Sequence, residues 1–179
     1  ILFWLEGHLA HIGIIKALTD DYDCKPYALI SCSPKQKKFF DHQKLINFEK
    51  MWFLRDHVDL KKKNHNFEKL EFFEKKYPML LQKIIYGDRS FYKYNKYYEF
   101  SDKEIYSILE QEIDLYDKIL DEIKPDFVVM RTPEFQDIEL LCEMCKAKKI
   151  QVLLLSSARI GSRYTITSNP NSPILFDKL

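Results

Sequence analysis

The sequence predicts a doubly wound α/β domain, in which helices cover both faces of a mostly parallel sheet of five or six strands. Short apolar runs of four or five residues are typical of strands buried on both faces. Between several of these runs, apolar residues recur at three-to-four spacing, which is the pattern of crossover helices. A chain of 179 residues, 46% of them apolar, can form one such domain with a core of its own, spanning residues 1–179.

Five apolar runs are the predicted strands: residues 1–5, 27–30, 51–54, 127–130 and 152–155. Residues 126–155 form a strand, helix, strand unit of the length expected for a parallel crossover. Its helix is expected to open at Pro133 and Glu134 and to carry Phe135, Ile138, Leu141, Cys142 and Cys145 on one face. Residues 8–18 are the predicted helix between the first two strands.

The clearest helix signal precedes the fourth strand. Ser101 and Glu104 form a capping box, apolar residues follow at helical spacing to Ile123, and Pro125 ends the helix. The stretch before it, residues 57–100, is too long for one crossover. We therefore predict a helical insertion on the edge of the sheet, with one apolar face formed by Phe67, Leu70, Phe73 and Tyr77.

Charge is unevenly distributed although the whole chain has a net charge of only +1, so no specific nucleic-acid partner is expected. Residues 61–98 hold ten basic and four acidic side chains, whereas residues 101–143 hold four basic and thirteen acidic ones. A dipolar surface follows if these segments do not pack on each other. The basic segment also carries Tyr77, Tyr86, Tyr92, Tyr94, Tyr97 and Tyr98. They could stack on sugars or bases or lie at a membrane surface, or be half-buried beneath lysine stems on a solvated helical face.

The four cysteines of the chain indicate a reduced, cytoplasmic protein, because a domain of this size needs no cross-links. Cys142 and Cys145 form a C-x-x-C motif in the middle of a predicted helix, where core packing is favoured over a redox pair or a zinc site. No metal site is predicted. No apolar run approaches the length of a membrane span, and the first residues do not have the pattern of a signal peptide.

The first candidate site follows the first strand, where Glu6, Gly7 and His8 are joined by His11. Ligands of open α/β sheets bind beyond the carboxyl ends of the strands, and a glycine there lets a ligand approach the backbone. His8 could act there as a general base or contact a phosphate, although helix capping or burial is as consistent with its position. A dinucleotide fingerprint is absent, since the chain has four glycines and no G-x-G-x-x-G.

A second candidate site follows the fourth and fifth strands. Arg159, Gly161 and Arg163 lie in a Ser/Gly-rich loop directly after the fifth predicted strand. Two arginines four residues apart suit recognition of carboxylate, phosphate or sugar hydroxyl groups, with simple solvation as the alternative. Arg131 follows the fourth strand and opens towards the same edge, so it joins the substrate-binding candidates.

The second half of the chain resembles a known family. The residues that carry the resemblance are Tyr-Asp-Lys-Ile-Leu-Asp-Glu-Ile-Lys-Pro-Asp-Phe-Val-Val from Tyr116, then Ile-Gln-Val-Leu-Leu-Leu, then Ser-Ser-Ala-Arg-Ile-Gly-Ser-Arg-Tyr. This pattern is similar to the N-terminal half of capsule and surface-polysaccharide biosynthesis proteins, which are glycosyltransferase-like chains of the GT-B type with Rossmann-like domains. Glu6-Gly7-His8 and an insertion ending in Asp88-Arg89 fit the same picture.

The resemblance implies a two-domain transferase of which this chain is the first, acceptor-side domain. It would bind a glycan or lipid-linked acceptor at the inner face of the membrane, with His8 as the base and Arg159 and Arg163 orienting the acceptor or neutralising the donor diphosphate. No cofactor is expected here, because the nucleotide-sugar donor would be bound by a C-terminal domain outside these residues, and this chain alone would be inactive. No acidic donor-binding motif is present in the sequence.

One alternative belongs to another functional class. The domain would then be a non-catalytic binding module whose basic, Tyr-rich insertion recognises an anionic glycan, a lipid head group or a nucleic acid. Binding of that kind weakens steeply with salt.

Overall fold

Six strands form one sheet in the computed structural model, which describes residues 1–93, 96–158 and 163–168. In chain order they are β1 (Leu2–Leu5), β2 (Tyr27–Ile30), β3 (Lys50–Phe53), β4 (Phe127–Arg131), β5 (Gln151–Ser157) and β6 (Tyr164–Thr167). Their spatial order is β3-β2-β1-β4-β5-β6, and each neighbouring pair is parallel except the antiparallel β5 and β6. The predicted doubly wound, mostly parallel fold is confirmed.

The helices are α1 (Leu9–Asp21), α2 (Pro34–His42), α3 (Leu54–His57), α4 (Phe67–Lys76), α5 (Leu81–Gly87), α6 (Arg89–Tyr92), α7 (Asp102–Ile123) and α8 (Gln136–Ala147). The capping box of Ser101 and Glu104 opens α7 as predicted. Sequence analysis missed α2, although Ser33 and Gln36 form a second capping box at its start. It also placed the start of α8 too early, because Phe135 is still extended and acts as the N-cap.

Apolar layers cover both faces of the sheet. Alternate residues of the strands divide between them, so Phe3 and Ala28 pack with α1 and α2, whereas Leu2 and Leu29 pack with α7 and α8. Cys142 and Cys145 are buried in the second layer, as the core-packing interpretation predicted, and burial raises the pKa of the Cys142 thiol.

The insertion packs over one face of the sheet, not on its edge as predicted. Helix α4 contacts α7, and α5 contacts α8, so the insertion forms an outer layer over the apolar core that lies between the sheet and these two helices. The reason is its apolar face, since Leu70, Phe73 and Tyr77 are buried in that core. Phe67 was expected on the same face, but its side chain is 59% exposed.

The basic insertion packs on the acidic helix α7. A dipolar surface was expected only if these two segments stayed apart, and their opposite charges are instead paired at this contact. Three lysines of the insertion pair with carboxylates of α7: Lys63 with Glu104 at 3.7 Å, Lys69 with Glu110 at 3.3 Å and Lys76 with Asp117 at 2.7 Å. Burial alone would raise the pKa of Asp117, but hydrogen bonds from Lys76, Tyr77 and Lys148 outweigh it and lower the pKa to about 2.

The half-buried arrangement that was one of the expectations holds for Tyr92 and Tyr98, which are 43% and 48% exposed, but not for the other described tyrosines of the insertion. Tyr77 is buried, whereas the side chains of Tyr86 and Tyr97 are 73% and 79% exposed. Tyr94 lies outside the described residues. Within the part of the chain that the structure describes, none of the helices combines the length and the apolar composition needed to cross a membrane.

Candidate ligand-binding site

The order of the sheet reverses at β1, which pairs with β2 on one side and with β4 on the other. In doubly wound sheets this switch point leaves a crevice beyond the carboxyl ends of the strands, where ligands bind. A cavity of about 360 Å³ opens there, between the ends of β1, β2, β3 and β4, the insertion and the first turn of α8. Its position identifies it as the candidate site.

An ion pair joins the ends of the two switch-point strands at this cavity. Arg131 Nε donates a hydrogen bond to Glu6 Oε1 at 2.7 Å, and its Nη1 donates to Glu134 Oε2 at 3.1 Å. The guanidinium carbon lies 5.2 Å from the centroid of the Phe135 ring. Glu6 and Arg131, which sequence analysis selected separately, therefore form one unit on the cavity wall.

His8 lies beside this unit, in a smaller pocket of about 180 Å³ that shares Glu6 with the larger cavity. Its side chain is 67% exposed, and its Nε2 is 3.8 Å from Glu6 Oε2. The structure thus brings His8 and Glu6 together at the carboxyl end of β1, but His8 does not line the larger cavity.

His11 is buried in the first turn of α1, between the rings of His8 and Tyr164 at centroid distances of 5.7 and 6.0 Å. Burial, followed by the charge of His8, lowers the pKa of His11, which favours the neutral imidazole. Its contact with Tyr164 ties α1 to β6. At Gly7 a Cβ would lie 1.6 Å from Nε2 of Gln36, so a larger residue there would require the Gln36 side chain to move.

The arginines of the Ser/Gly-rich loop are only partly described. Arg159 and Gly161 lie outside the described residues. Arg163 is exposed immediately before β6, and its carbonyl oxygen accepts a hydrogen bond from the backbone N–H of Ala158 at 2.9 Å. This bond closes the connection between β5 and β6.

Four further side chains of the cavity were not selected from the sequence as site residues: Asp88, Glu112, Gln136 and Asp137. Asp88 belongs to the insertion and is 3% exposed. Its Oδ2 accepts a hydrogen bond at 2.6 Å from the backbone N–H of Gln136, the first residue of α8. A carboxylate of the protein therefore occupies a helix N-terminus of the kind that binds phosphate in related architectures.

Glu112 and Gln136 meet at the buried side of the cavity. Gln136 Nε2 donates a hydrogen bond to Glu112 Oε1 at 3.0 Å, while Glu112 Oε2 and Gln136 Oε1 are buried without a hydrogen-bond partner within the described part of the chain. Burial raises the pKa of Glu112 well above its usual value, and the nearby carboxylates of Asp137 and Asp88 raise it further. These causes all favour the neutral carboxylic acid form of Glu112 over the carboxylate.

Asp137, in the first turn of α8, is the third acidic group at this end of the cavity. Burial raises its pKa to about 6, although the backbone N–H of Ile138 donates to its Oδ1 at 2.9 Å. A carboxyl that titrates close to neutrality can exchange a proton with a ligand.

Replacing Asp137 with asparagine is expected to flatten the dependence of stability on pH. Because its pKa is raised, Asp137 stays protonated in the folded chain at pH values above 3.8, where an ordinary aspartate has lost its proton. The folded chain therefore binds more protons than the unfolded chain in this range, and the wild type loses stability as pH rises from about 4 to about 6. Asp137→Asn should remove about 3 kcal/mol of that loss, and Glu112 should retain part of the slope. Urea unfolding at several pH values measures it. Asp126→Asn, at an exposed position, is the control, and superimposable curves for Asp137→Asn and wild type would contradict the expectation.

The sequence contains a signal for one of the missed residues. Glu112 lies on the apolar stripe of α7, one turn after Ile108 and one turn before Tyr116, and an acidic residue at such a position indicates a functional or paired group. Asp88 had no such signal, because its role depends on how the insertion folds onto α8.

Neither a metal centre nor a known relative helps to identify the ligand. In residues 1–93, 96–158 and 163–168, no group of three or more His, Cys, Asp or Glu side chains is arranged to hold a metal ion. A scan against protein-family models, a search of curated proteins and a search of solved structures found no match.

Proposed function

We propose that this chain is the acceptor-side domain of a glycosyltransferase-like protein that acts in surface or capsular polysaccharide biosynthesis. The observation that carries the proposal is the cavity at the switch point of the sheet, where polar side chains from strand ends and from several helices converge between aromatic walls. Such a combination is typical of small-molecule sites, in which a few polar groups orient a ligand against an apolar surface.

The chemistry of the cavity suits a sugar. Hydroxyl groups need both donors and acceptors, and the cavity offers the guanidinium groups of Arg55 and Arg131, carboxylates, a carboxylic acid and a carboxamide. Phe91, Phe100 and Phe135 supply rings that can contact the C–H faces of a sugar.

The position of Asp88 favours the acceptor over the nucleotide-sugar donor. Its carboxylate already occupies the N-terminus of α8, where a diphosphate would otherwise be attracted, and it would repel one. In this proposal the donor is held by a second domain that faces the cavity.

His8 is the proposed base. It is exposed towards solvent at the end of β1, and the Glu6 carboxylate 3.8 Å from its Nε2 would stabilise the imidazolium that forms when His8 takes the proton of the acceptor hydroxyl. Because Glu6 lines both the His8 pocket and the cavity, an acceptor in the cavity could present a hydroxyl to His8.

The exposed tyrosines and lysines of the insertion fit peripheral association with a membrane that carries a lipid-linked acceptor. The alternative of a purely electrostatic binding module has less support, because Lys63, Lys69 and Lys76 are paired with carboxylates of α7.

Isothermal titration of the chain with neutral sugars, acidic sugars and nucleotide-sugars tests the proposal. We expect binding of a neutral sugar, no binding of nucleotide-sugars, and at least tenfold weaker binding, about 1.4 kcal/mol, in Phe135→Leu. Phe72→Leu, at an exposed position on α4, is the matched control. Binding of nucleotide-sugars by this chain, or of no sugar at all, would overturn the proposal.

A further inference from the structure

We infer that the buried end of the cavity is a subsite for an uncharged hydroxyl group, to which Glu112 Oε2 donates and Gln136 Oε1 accepts a hydrogen bond. The inference rests on the proposed function and narrows it, because it specifies a neutral sugar residue as the part of the acceptor bound at this point.

The two atoms are the main evidence. Glu112 is 3% exposed and Gln136 is 7% exposed, and both line the cavity. One hydrogen bond already joins Gln136 Nε2 to Glu112 Oε1, which fixes the two side chains relative to each other. The remaining oxygen of each side chain is buried and unpartnered within the described residues. Buried polar atoms almost always have a partner, so this pair points to a group that the ligand brings.

The protonation of the pair defines what that group is. Glu112 is buried beside Asp88 and Asp137, which favours its neutral acid form, and in that form its Oε2 can carry the hydrogen. Gln136 Oε1 can only accept. A hydroxyl group both accepts and donates, so one hydroxyl can satisfy both atoms.

The acidic groups around this subsite disfavour an anion there, and Arg131, which also lines the cavity, is already paired with Glu6 and Glu134. Asp88 accepts the hydrogen bond of the Gln136 N–H, and Asp137 occupies the next position of α8. A carboxylate or phosphate of the ligand would be placed beside these acidic groups without an available helix N-terminus to receive it.

The probe for the subsite is glycerol, compared with D-glycerate, which is similar in size but anionic. The signals of the Gln136 side-chain amide in the ¹⁵N-labelled chain, assigned with Gln136→Met, are the readout. Glycerol should shift them and glycerate should not. The Gln111 amide is the internal control, because its Nε2 already donates to the Ser107 carbonyl at 3.0 Å. Unmoved Gln136 signals with glycerol, or equal shifts with glycerate, would overturn the inference.

Two variants of Glu112 then test whether this residue acts as a neutral hydrogen-bond donor or as a charged carboxylate. Glu112→Gln keeps a donor at this position and should bind the neutral sugar found by titration within about threefold of wild type, whereas Glu112→Met should lose at least tenfold, about 1.4 kcal/mol. Equal losses in both would show that a charged carboxylate is needed and would overturn the inference.

The glycerol experiment and the sugar titration distinguish failure of the subsite from failure of the proposed function. If glycerol shifts the Gln136 signals but no sugar binds, the subsite stands and the proposed function fails. If a sugar binds without shifting them, the proposed function stands and the subsite is wrong.

Discussion

Changing His8 to alanine is expected to lower the rate of sugar transfer by about 10²–10⁴-fold, the contribution typical of a general base. The proposed transfer reaction needs a group that removes the proton of the acceptor hydroxyl as the hydroxyl oxygen attacks the sugar of the donor. His8 is exposed at the end of β1 with the Glu6 carboxylate 3.8 Å away, so it can take up that proton. The measurement is kcat at saturating acceptor, with the natural gene product and a labelled nucleotide-sugar.

Binding provides the second half of this prediction. Because His8 does not line the larger cavity, His8→Ala should leave the affinity for the acceptor within about twofold of wild type, below 0.5 kcal/mol. His42→Ala is the control, since His42 is exposed at the end of α2. If kcat of His8→Ala equals that of wild type, His8 is not the base.

Replacing Glu112 and Gln136 together with methionine should stabilise the protein and abolish sugar binding. Each side chain is buried with one oxygen unpartnered within the described part of the chain, so the pair costs stability that an apolar pair of similar size would not. We expect the free energy of unfolding to rise by about 1–3 kcal/mol. Urea unfolding at pH 7 and sugar titration measure the two effects.

A neighbouring residue gives the opposite expectation and serves as the control. Gln111 Oε1 accepts a hydrogen bond from the Asp59 backbone N–H at 3.0 Å, and its Nε2 donates to the Ser107 carbonyl. Gln111→Met should therefore destabilise the chain by about 1 kcal/mol. If the Glu112 and Gln136 double variant is destabilised to a similar degree, the pair is structural and not a site maintained for a ligand.

Five of the six strands were predictable because they are short apolar runs, and α7 because its capping box and apolar stripe are both local signals. The strand β6 was not predicted, because its residues are partly polar and alternate between exposed and half-buried. The position of the insertion was not predictable in the same way. Its location on α7 and α8 depends on contacts between residues about 40 positions apart, such as Tyr77 and Asp117.

Only the part of the candidate site that depends on strand ends was predicted from the sequence. Glu6 and His8 follow β1 and Arg131 is the last residue of β4, so the topology of a parallel sheet is sufficient to bring them together. Asp88 reaches the site only because the insertion folds back onto α8. The unpartnered oxygens of Glu112 and Gln136 could not be inferred from sequence, since they depend on side-chain contacts.

The most direct test of the central claim, that the cavity binds the acceptor, is an NMR measurement of nuclear Overhauser effects between a bound neutral sugar and the aromatic rings of the protein. The account predicts effects from the sugar ring protons to Phe135 and Phe91, which line the cavity. Effects confined to Tyr86, Tyr92 and Tyr97 on the insertion would place the sugar on the outer surface and contradict the account.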